Sequence, residues 1–314
     1  CLEEPRRFLS FLRPTIQMVI IHPNNTILKI MKISEIASSN FVVKLSDPLI
    51  KAVSLIGGGK GRYRLVVTDD DGMVEGVISG RRIVEVLLGR RGTSIIEEKG
   101  LDLTLNESIN LFMDETHQLF LEDTNLETVL KYLCENMTGY AILVDHSGRF
   151  KGIVEEAGFL ERLRGKKISI TVEEIMSTKP ITEEARATVQ EASRKMVNER
   201  LRRLPVLHKG NVVGIITISD ILKELVRAKE KGVEEAVGNI FKRRVEELMT
   251  KKVVGIAPEA DVGDAVKSML EMDVSGLLVF RKGELVGIIS RIDVLGKSAK
   301  IKGIEQMVEM VHEW

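Results

Sequence analysis

Hydrophobic positions along this chain change period several times, always in the same order. Between residues 180 and 228 the order is clearest. An extended stretch, Pro180-Ile181-Thr182, comes first. A segment of helical period follows from Thr188 to Asn198, with Val189, Ala192, Met196 and Val197 sharing one face. Two β-branched runs come next, Leu204 to Leu207 and Val212 to Ile216, separated by the turn sequence His208-Lys209-Gly210-Asn211. A second helix is expected to start after Thr217. The pattern predicts a β-α-β-β-α unit. Its apolar runs are short and nearly continuous, as in strands that helices cover on at least one face.

The unit recurs. Val172-Glu-Glu-Ile-Met176 returns as Val245-Glu-Glu-Leu-Met249, and Gly214-Ile-Ile-Thr-Ile-Ser-Asp-Ile-Leu222 returns at the same offset as Gly287-Ile-Ile-Ser-Arg-Ile-Asp-Val-Leu295. Looser copies open at Ile33-Ser-Glu-Ile-Ala37 and at Ile109, and run to Gly76 and Gly152. The chain therefore reads as α+β, with four units opening near residues 33, 109, 172 and 245. Units of this size bury too little surface to stand alone, so they are expected to pair. The expected organisation is an extension over 1–30, a first module over 31–165 (repeats 33–90 and 105–165) and a second over 166–314 (repeats 171–228 and 244–300). The basic stretch Arg162-Leu-Arg-Gly-Lys-Lys167 marks the boundary, and Lys229 to Arg244 reads as a charged, helical connector.

Chemistry concentrates where each unit ends. The third closes on Gly214, Thr217 and Asp220; the fourth closes on Gly287, Ser290 and Asp293. A strand stops there and a helix begins. Its first backbone N–H groups and positive dipole end suit a phosphate. The hydroxyl adds a donor, and a carboxylate one turn on can accept from both hydroxyls of a ribose. Thr-x-x-Asp and Ser-x-x-Asp are equally the signature of a capping box, which does nothing but start a helix. Both readings stand at this level, although recurrence at one place in each unit favours the first.

The repeat plan and terminal motif resemble CBS domains, which pair into Bateman modules and bind adenosine-type ligands between the paired units. Four tandem repeats resemble the layout of the γ subunit of AMP-activated protein kinase and of stand-alone archaeal proteins. The resemblance implies pseudo-two-fold modules with small mixed sheets covered by helices. It puts ribose on Asp220 and Asp293, phosphate near Thr217 and Ser290, and adenine against Ile181-Thr182 and Val254-Gly255. Arg202-Arg203 match a basic pair that faces the phosphates, and Tyr63-Arg64 hold the same place in the first repeat. The first repeat departs from the motif at Gly76-Val-Ile-Ser79-Gly-Arg-Arg82, where Arg82, which cannot accept a hydrogen bond, replaces the carboxylate. Ser79, Arg82 and Arg64 are therefore weaker candidates. The second repeat has Glu155 in place of the hydroxyl and Gly158 in place of the carboxylate, so the first module is expected to bind nucleotide differently or not at all.

Composition narrows the function further. Lys plus Arg equals Asp plus Glu at 46 each, so no global field selects nucleic acid or an anionic membrane. Cys1 and Cys134 are too few for a disulfide framework, and no apolar run has the length of a membrane helix, so an intracellular, cytoplasmic home is expected. Met18 to Ile21 reads as a strand or strap. The five histidines lack metal-ligand spacing, and no nucleophile–base set assembles. Gly57-Gly-Gly-Lys-Gly61 lacks the remaining residues of a phosphate loop. The resulting expectation is a non-catalytic sensor, with no cofactor or metal, that binds AMP, ADP or ATP and acts on a regulated partner or as a homodimer. S-adenosylmethionine is the alternative ligand, and a ligand-free interaction scaffold is the alternative role.

Overall fold

The computed structural model describes residues 32–58, 63–89, 93–116, 118–230 and 239–312, all within the unit Lys32–Trp314. The N-terminal extension with its Met18–Ile21 strap, most of the Gly57–Gly61 loop and the middle of the Lys229–Arg244 connector lie outside the described residues.

The first repeat contributes β1 (Val42–Lys44), α1 (Leu49–Gly57), β2 (Arg64–Thr68), β3 (Val74–Ser79) and α2 (Gly80–Leu87), with α3 (Thr93–Thr104) leading out of it. The second gives β4 (Leu119–Leu121), α4 (Leu126–Asn136), β5 (Tyr140–Val144), β6 (Phe150–Glu155) and α5 (Glu156–Arg162). After α6 (Val172–Ile175) and β7 (Ser177–Thr178) come β8 (Glu183–Glu184), α7 (Val189–Asn198), β9 (Arg203–His208), β10 (Asn211–Thr217) and α8 (Ile218–Glu230). The fourth repeat holds β11 (Gly255–Ile256), the helix Val262–Glu271, β12 (Gly276–Arg281), β13 (Glu284–Ser290) and the helical turns from Asp293 onward. In every sheet the first strand runs parallel to the second, and the third returns antiparallel beside it. The fold is α+β, four β-α-β-β-α repeats.

Local chemistry accounts for these elements. Thr188 caps α7 and Glu191 reaches back to the Thr188 backbone N–H at 2.7 Å, a complete capping box. The β9–β10 hairpin turns through Lys209 and Gly210, both at positive φ (52° and 80°), the conformation a two-residue hairpin turn requires. One strand differs from the sequence reading. The first strand of the third repeat is Glu183–Glu184, where Glu183 pairs with Val206, and not Pro180–Thr182.

Pairing rests on a reciprocal crossing. The segment leading into each repeat lies across the third strand of its neighbour. Val77 and Asp114 exchange backbone hydrogen bonds of 2.8 Å, Ser38 and Ile153 bonds of 2.9 Å, and Ile215 and Thr250 bonds of 3.0 and 2.9 Å; Ser177–Thr178 pairs with Gly287–Ile288. A glycine sits under each crossing. A Cβ on Gly76 would lie 2.5 Å from the Asp114 carbonyl, and one on Gly214 would lie 2.7 Å from Met249 Sδ and 2.9 Å from the Thr250 carbonyl. Gly152 meets Ala37 and Ser38, and Gly287 meets Met176 and Ser177.

The two pairs meet through helices. α1 and α2 pack on α7 and α8, while α4 and α5 face the helices of the fourth repeat. Leu49, Ile56, Ile83 and Leu87 of the first repeat share one buried apolar cluster with Val189, Met196, Ile218 and Leu222 of the third. Gly57 and Gly80 allow this approach, since a Cβ on either would lie within 2.9 Å of Leu222 or Ile218.

Gly214→Val is expected to lower unfolding free energy by about 1–3 kcal/mol, the usual cost of overpacking. Chemical denaturation of the purified variant checks this, and an unchanged midpoint would remove the crossing from the determinants of stability.

Candidate functional site

Each terminal motif first satisfies its own helix. Asp220 Oδ2 accepts the Thr217 backbone N–H at 2.8 Å and the Thr217 hydroxyl at 2.7 Å, while Asp220 N donates to Thr217 Oγ1 at 3.2 Å. Asp293 Oδ2 likewise accepts Ser290 N at 2.9 Å and Ser290 Oγ at 2.5 Å. The capping box is therefore complete at Thr217, while at Ser290 only the carboxylate's return bond to the backbone is present. Either arrangement occupies one carboxylate oxygen. The other oxygen distinguishes the two repeats. Asp220 Oδ1 has a marginal neighbour in the Thr250 hydroxyl at 3.5 Å, whereas Asp293 Oδ1 is held by Lys297 Nζ at 2.8 Å. Lys297 also donates to the Ile175 carbonyl, which ties this helix to the segment ahead of the third repeat. The chain is π-helical over Asp293–Lys297, a widening often found at functional positions.

The crossing places each aspartate beside the leading segment of the paired repeat, and a cavity opens there. The smaller, about 290 Å³, is lined by Thr217, Asp220 and the Thr250, Lys252, Val253 and Val254 segment. The larger, about 700 Å³, is lined by Ser290, Asp293 and the segment from Ser177 to Ile181. Arg202 and Arg203 line both. Arg64 and Ser79 line the larger one. The structure thus brings together Thr217, Asp220 and Val254 in one place and Ser290, Asp293, Ile181, Arg64 and Ser79 in the other, with Arg202-Arg203 between them.

Five candidates lie elsewhere. Gly214 and Gly287 line neither cavity, because they sit beneath the backbone crossings. Thr182 is absent from both linings, and its carbonyl accepts Lys195 Nζ at 2.9 Å. Gly255 is pressed against the Phe280 ring within β11. Arg82 is 8% exposed and donates through Nε to the Phe112 carbonyl at 2.7 Å, so it braces the lead-in to the second repeat.

Tyr63, expected beside Arg64, and Arg81, which sequence reasoning passed over, complete the walls. Tyr63 and Arg81, from the first module, line both cavities, so the clefts are not confined to the second module. Arg81 Nη1 donates to the Arg200 carbonyl at 3.0 Å. Arg202 lies 4.8 Å from the centre of the Tyr63 ring, and Arg64 lies 4.0 Å from that of Tyr140, both in cation–π range. Arg203 donates to the Ser275 hydroxyl, and Gly276 leaves room for its guanidinium. Burial, with Arg202 alongside, lowers the Arg203 pKa to about 10, and burial beside Arg202, Arg200 and Arg64 lowers that of Arg81. Arg203 and Arg81 stay cationic at neutral pH. Burial raises the Asp220 pKa against the opposing pull of the Thr217 donors. Glu156 of the second repeat supplies counter-charge, and its neighbour Glu155 adds to it only as pH rises past its raised pKa. Burial lifts Glu155 to about 7, and Glu156 reaches Arg202 at 3.4 Å. Among the described residues, no group of three or more His, Cys, Asp or Glu is placed to hold a metal ion, and no helix is long and apolar enough to cross a membrane.

Comparison with known proteins decides the family. The CBS domain model matches residues 33–89, 172–227 and 245–300. The chain belongs to the CBS-domain family. The second repeat, which the model does not match, has the same β-α-β-β-α order. A 33.4 kDa protein in a ribosomal RNA operon of Thermofilum pendens is 28% identical over 287 residues, covering 88% of this chain and 94% of that one. Protein MJ1225 of Methanocaldococcus jannaschii, described with its crystal structure as a proposed archaeal homolog of γ-AMPK, superposes with a TM-score of 0.75 at 22% identity, covering 85% of this chain and 99% of that one. A conserved protein of Pyrococcus horikoshii covers the same share of this chain, and all of its own, with a TM-score of 0.55 at 19% identity. These two likenesses show the CBS fold in tandem.

The Glu155 value has a consequence for stability. Its folded pKa of about 7 stands above an ordinary glutamate value near 4.5, so the folded state holds the proton more tightly. Stability is expected to fall as pH rises from about 4.5 to about 7, by roughly 2–3 kcal/mol relative to Glu155→Gln. Denaturant titrations of both proteins across that window check the difference, and parallel pH profiles would refute it.

Proposed function

We propose that this CBS-domain chain is a non-catalytic regulatory sensor that binds an adenine nucleotide (AMP, ADP or ATP) in the clefts of its second module. The observation that carries this reading is one juxtaposition, repeated. A helix-starting hydroxyl and aspartate face the leading segment of the paired repeat across a cavity, with Arg202 and Arg203 shared between the two cavities. In this reading Asp220 takes ribose hydroxyls on its second oxygen, Asp293 takes them on an oxygen it shares with Lys297, and Val254 and Ile181 flank adenine. Thr217 and Ser290 with Arg202, Arg203 and Arg81 take phosphate. Arg64 and Ser79 extend the larger site. A ligand there touches both repeats of the second module and the first module at once. It therefore shifts the packing among them by its differential affinity for two arrangements, and a partner protein or second copy in the cytoplasm reads the change.

Two observations support other readings. The Glu156 carboxylate in the larger cavity suits a ligand with a positive centre, which favours S-adenosylmethionine there. The complete capping box at Thr217, and its return half at Ser290, favour a scaffold in which the motifs only start helices.

Calorimetric titration of nucleotide-stripped protein with AMP, ADP, ATP and S-adenosylmethionine separates the three. Saturable binding of a phosphorylated ligand is expected, and replacing Asp220 and Asp293 together by Ala should weaken it at least tenfold, about the worth of one charge-assisted hydrogen bond. Tighter binding of S-adenosylmethionine would replace the ligand. No heat from any of the four would leave the scaffold.

A further inference from the structure

The clefts carry more cation than their own motifs require, and one anion among them is oddly placed. Glu156 opens α5, at the position held by Gly80, Ile218 and Arg291 in the other repeats. Its side chain is only 4% exposed, yet the carboxylate turns into the larger cavity and not outward to solvent. The approach to Arg202 Nη2, at 3.4 Å, is long for a charge-assisted bond, which normally closes to about 2.7–2.9 Å. Space for the carboxylate exists because residue 139 is glycine; a Cβ there would stand 2.6 Å from Oε1 and 2.8 Å from Oε2.

The surrounding cations are under-satisfied as well. Arg202 Nη1, Arg64 Nη1 and Arg291 Nε are buried without a hydrogen-bond partner, as is Glu155 Oε1. Charges taken out of water in this state are costly unless their remaining donors and acceptors are filled. Arg202, which Glu156 engages, lies in the same cavity as Ser290 and Asp293. A carboxylate at the first turn of α5 also complements the helix dipole, but this does not account for a side chain turned toward a guanidinium of another repeat.

We propose that Glu156 is a specificity residue of the larger cavity: its carboxylate stands where a ligand's phosphate would meet Arg202, and so sets how strongly the cleft accepts negative charge. The proposal rests on the nucleotide-binding reading of that cleft. A phosphate entering beside Arg202 must displace Glu156 or share the guanidinium with it. Affinity for adenosine, which carries no phosphate, is indifferent to this carboxylate. Affinity for AMP, ADP and ATP is held down by it, and the more so the greater the ligand charge. Displacement also breaks a link between the second and third repeats, so occupancy is transmitted to the first module through Arg202.

The experiment is a set of calorimetric titrations of the full chain, with adenosine, AMP, ADP and ATP. The proteins compared are the parent, Glu156→Gln and Gly139→Ala. Glu156→Gln keeps the size of the side chain and removes its charge; Gly139→Ala displaces the carboxylate by the close approach of its Cβ. Thermal melting establishes that each variant is folded, and either one alone suffices for the test. Both variants are expected to bind AMP about tenfold more tightly, and ATP more tightly still, with adenosine affinity unchanged within about twofold. If the parent binds nucleotides and both folded variants bind them equally well, the role of Glu156 falls and the sensor reading stands. The same holds if adenosine tightens as much as AMP. If the parent and the variants bind neither adenosine nor any nucleotide, both readings fall together.

Discussion

The structure depends on a backbone crossing that leaves little room for a side chain beneath it. Where the lead-in of one repeat passes over the third strand of its neighbour, each segment satisfies amide groups of the other, and a glycine lies beneath. Gly76, Gly152, Gly214 and Gly287 hold that place. Because the crossing is reciprocal within each pair, it fixes two repeats in one relative orientation. It also carries the first extended segment of each past the terminal helix of the other. Asp220 therefore stands beside Lys252 to Val254 and Asp293 beside Ser177 to Ile181. The clefts are what remains between segments whose paths the hydrogen-bond ladders have already determined.

Charge at the junction follows from where the pairs meet. Arg64 and Arg81 come from the first repeat, Glu155 and Glu156 from the second, Arg202 and Arg203 from the third and Arg291 from the fourth. Packing α1 and α2 on α7 and α8 draws them together in a partly buried region. Burial, and after it the neighbouring like charges, lower the pKa of Arg81 and Arg203 there. Aromatic faces and two glutamates offset part of the repulsion. A region of this kind is poorly compensated by protein groups alone, which is the electrostatic condition under which an anion gains most from entering.

Much of this was legible in the sequence, for identifiable reasons. The third and fourth repeats show their strands because β-branched runs interrupt a helical period, and their motifs because the spacing repeats without slippage. The four glycines were visible too, but not their purpose: a crossing backbone leaves no mark on the residues it covers. Glu183–Glu184 was missed as a strand because a two-residue acidic edge has no β-propensity to detect. Arg81 and Glu156 were missed for a different reason. Each lies at the start of an ordinary amphipathic helix, where a charged residue reads as solvated surface, and only the docking of one pair on the other turns it inward. Arg82 was visible as a departure, yet its bond to the Phe112 carbonyl depends on a neighbouring repeat.

The apolar cluster shared by the first and third repeats has a consequence for biosynthesis. Ile56 and Ile83 are translated long before Ile218 and Leu222, the residues against which they are buried. While the ribosome makes the second repeat and the start of the third, the face formed by α1 and α2 has no native cover. A nascent chain in this state exposes apolar surface of the kind that holdase chaperones bind. Sequence order groups the first repeat with the second, but completion of its core waits on the third.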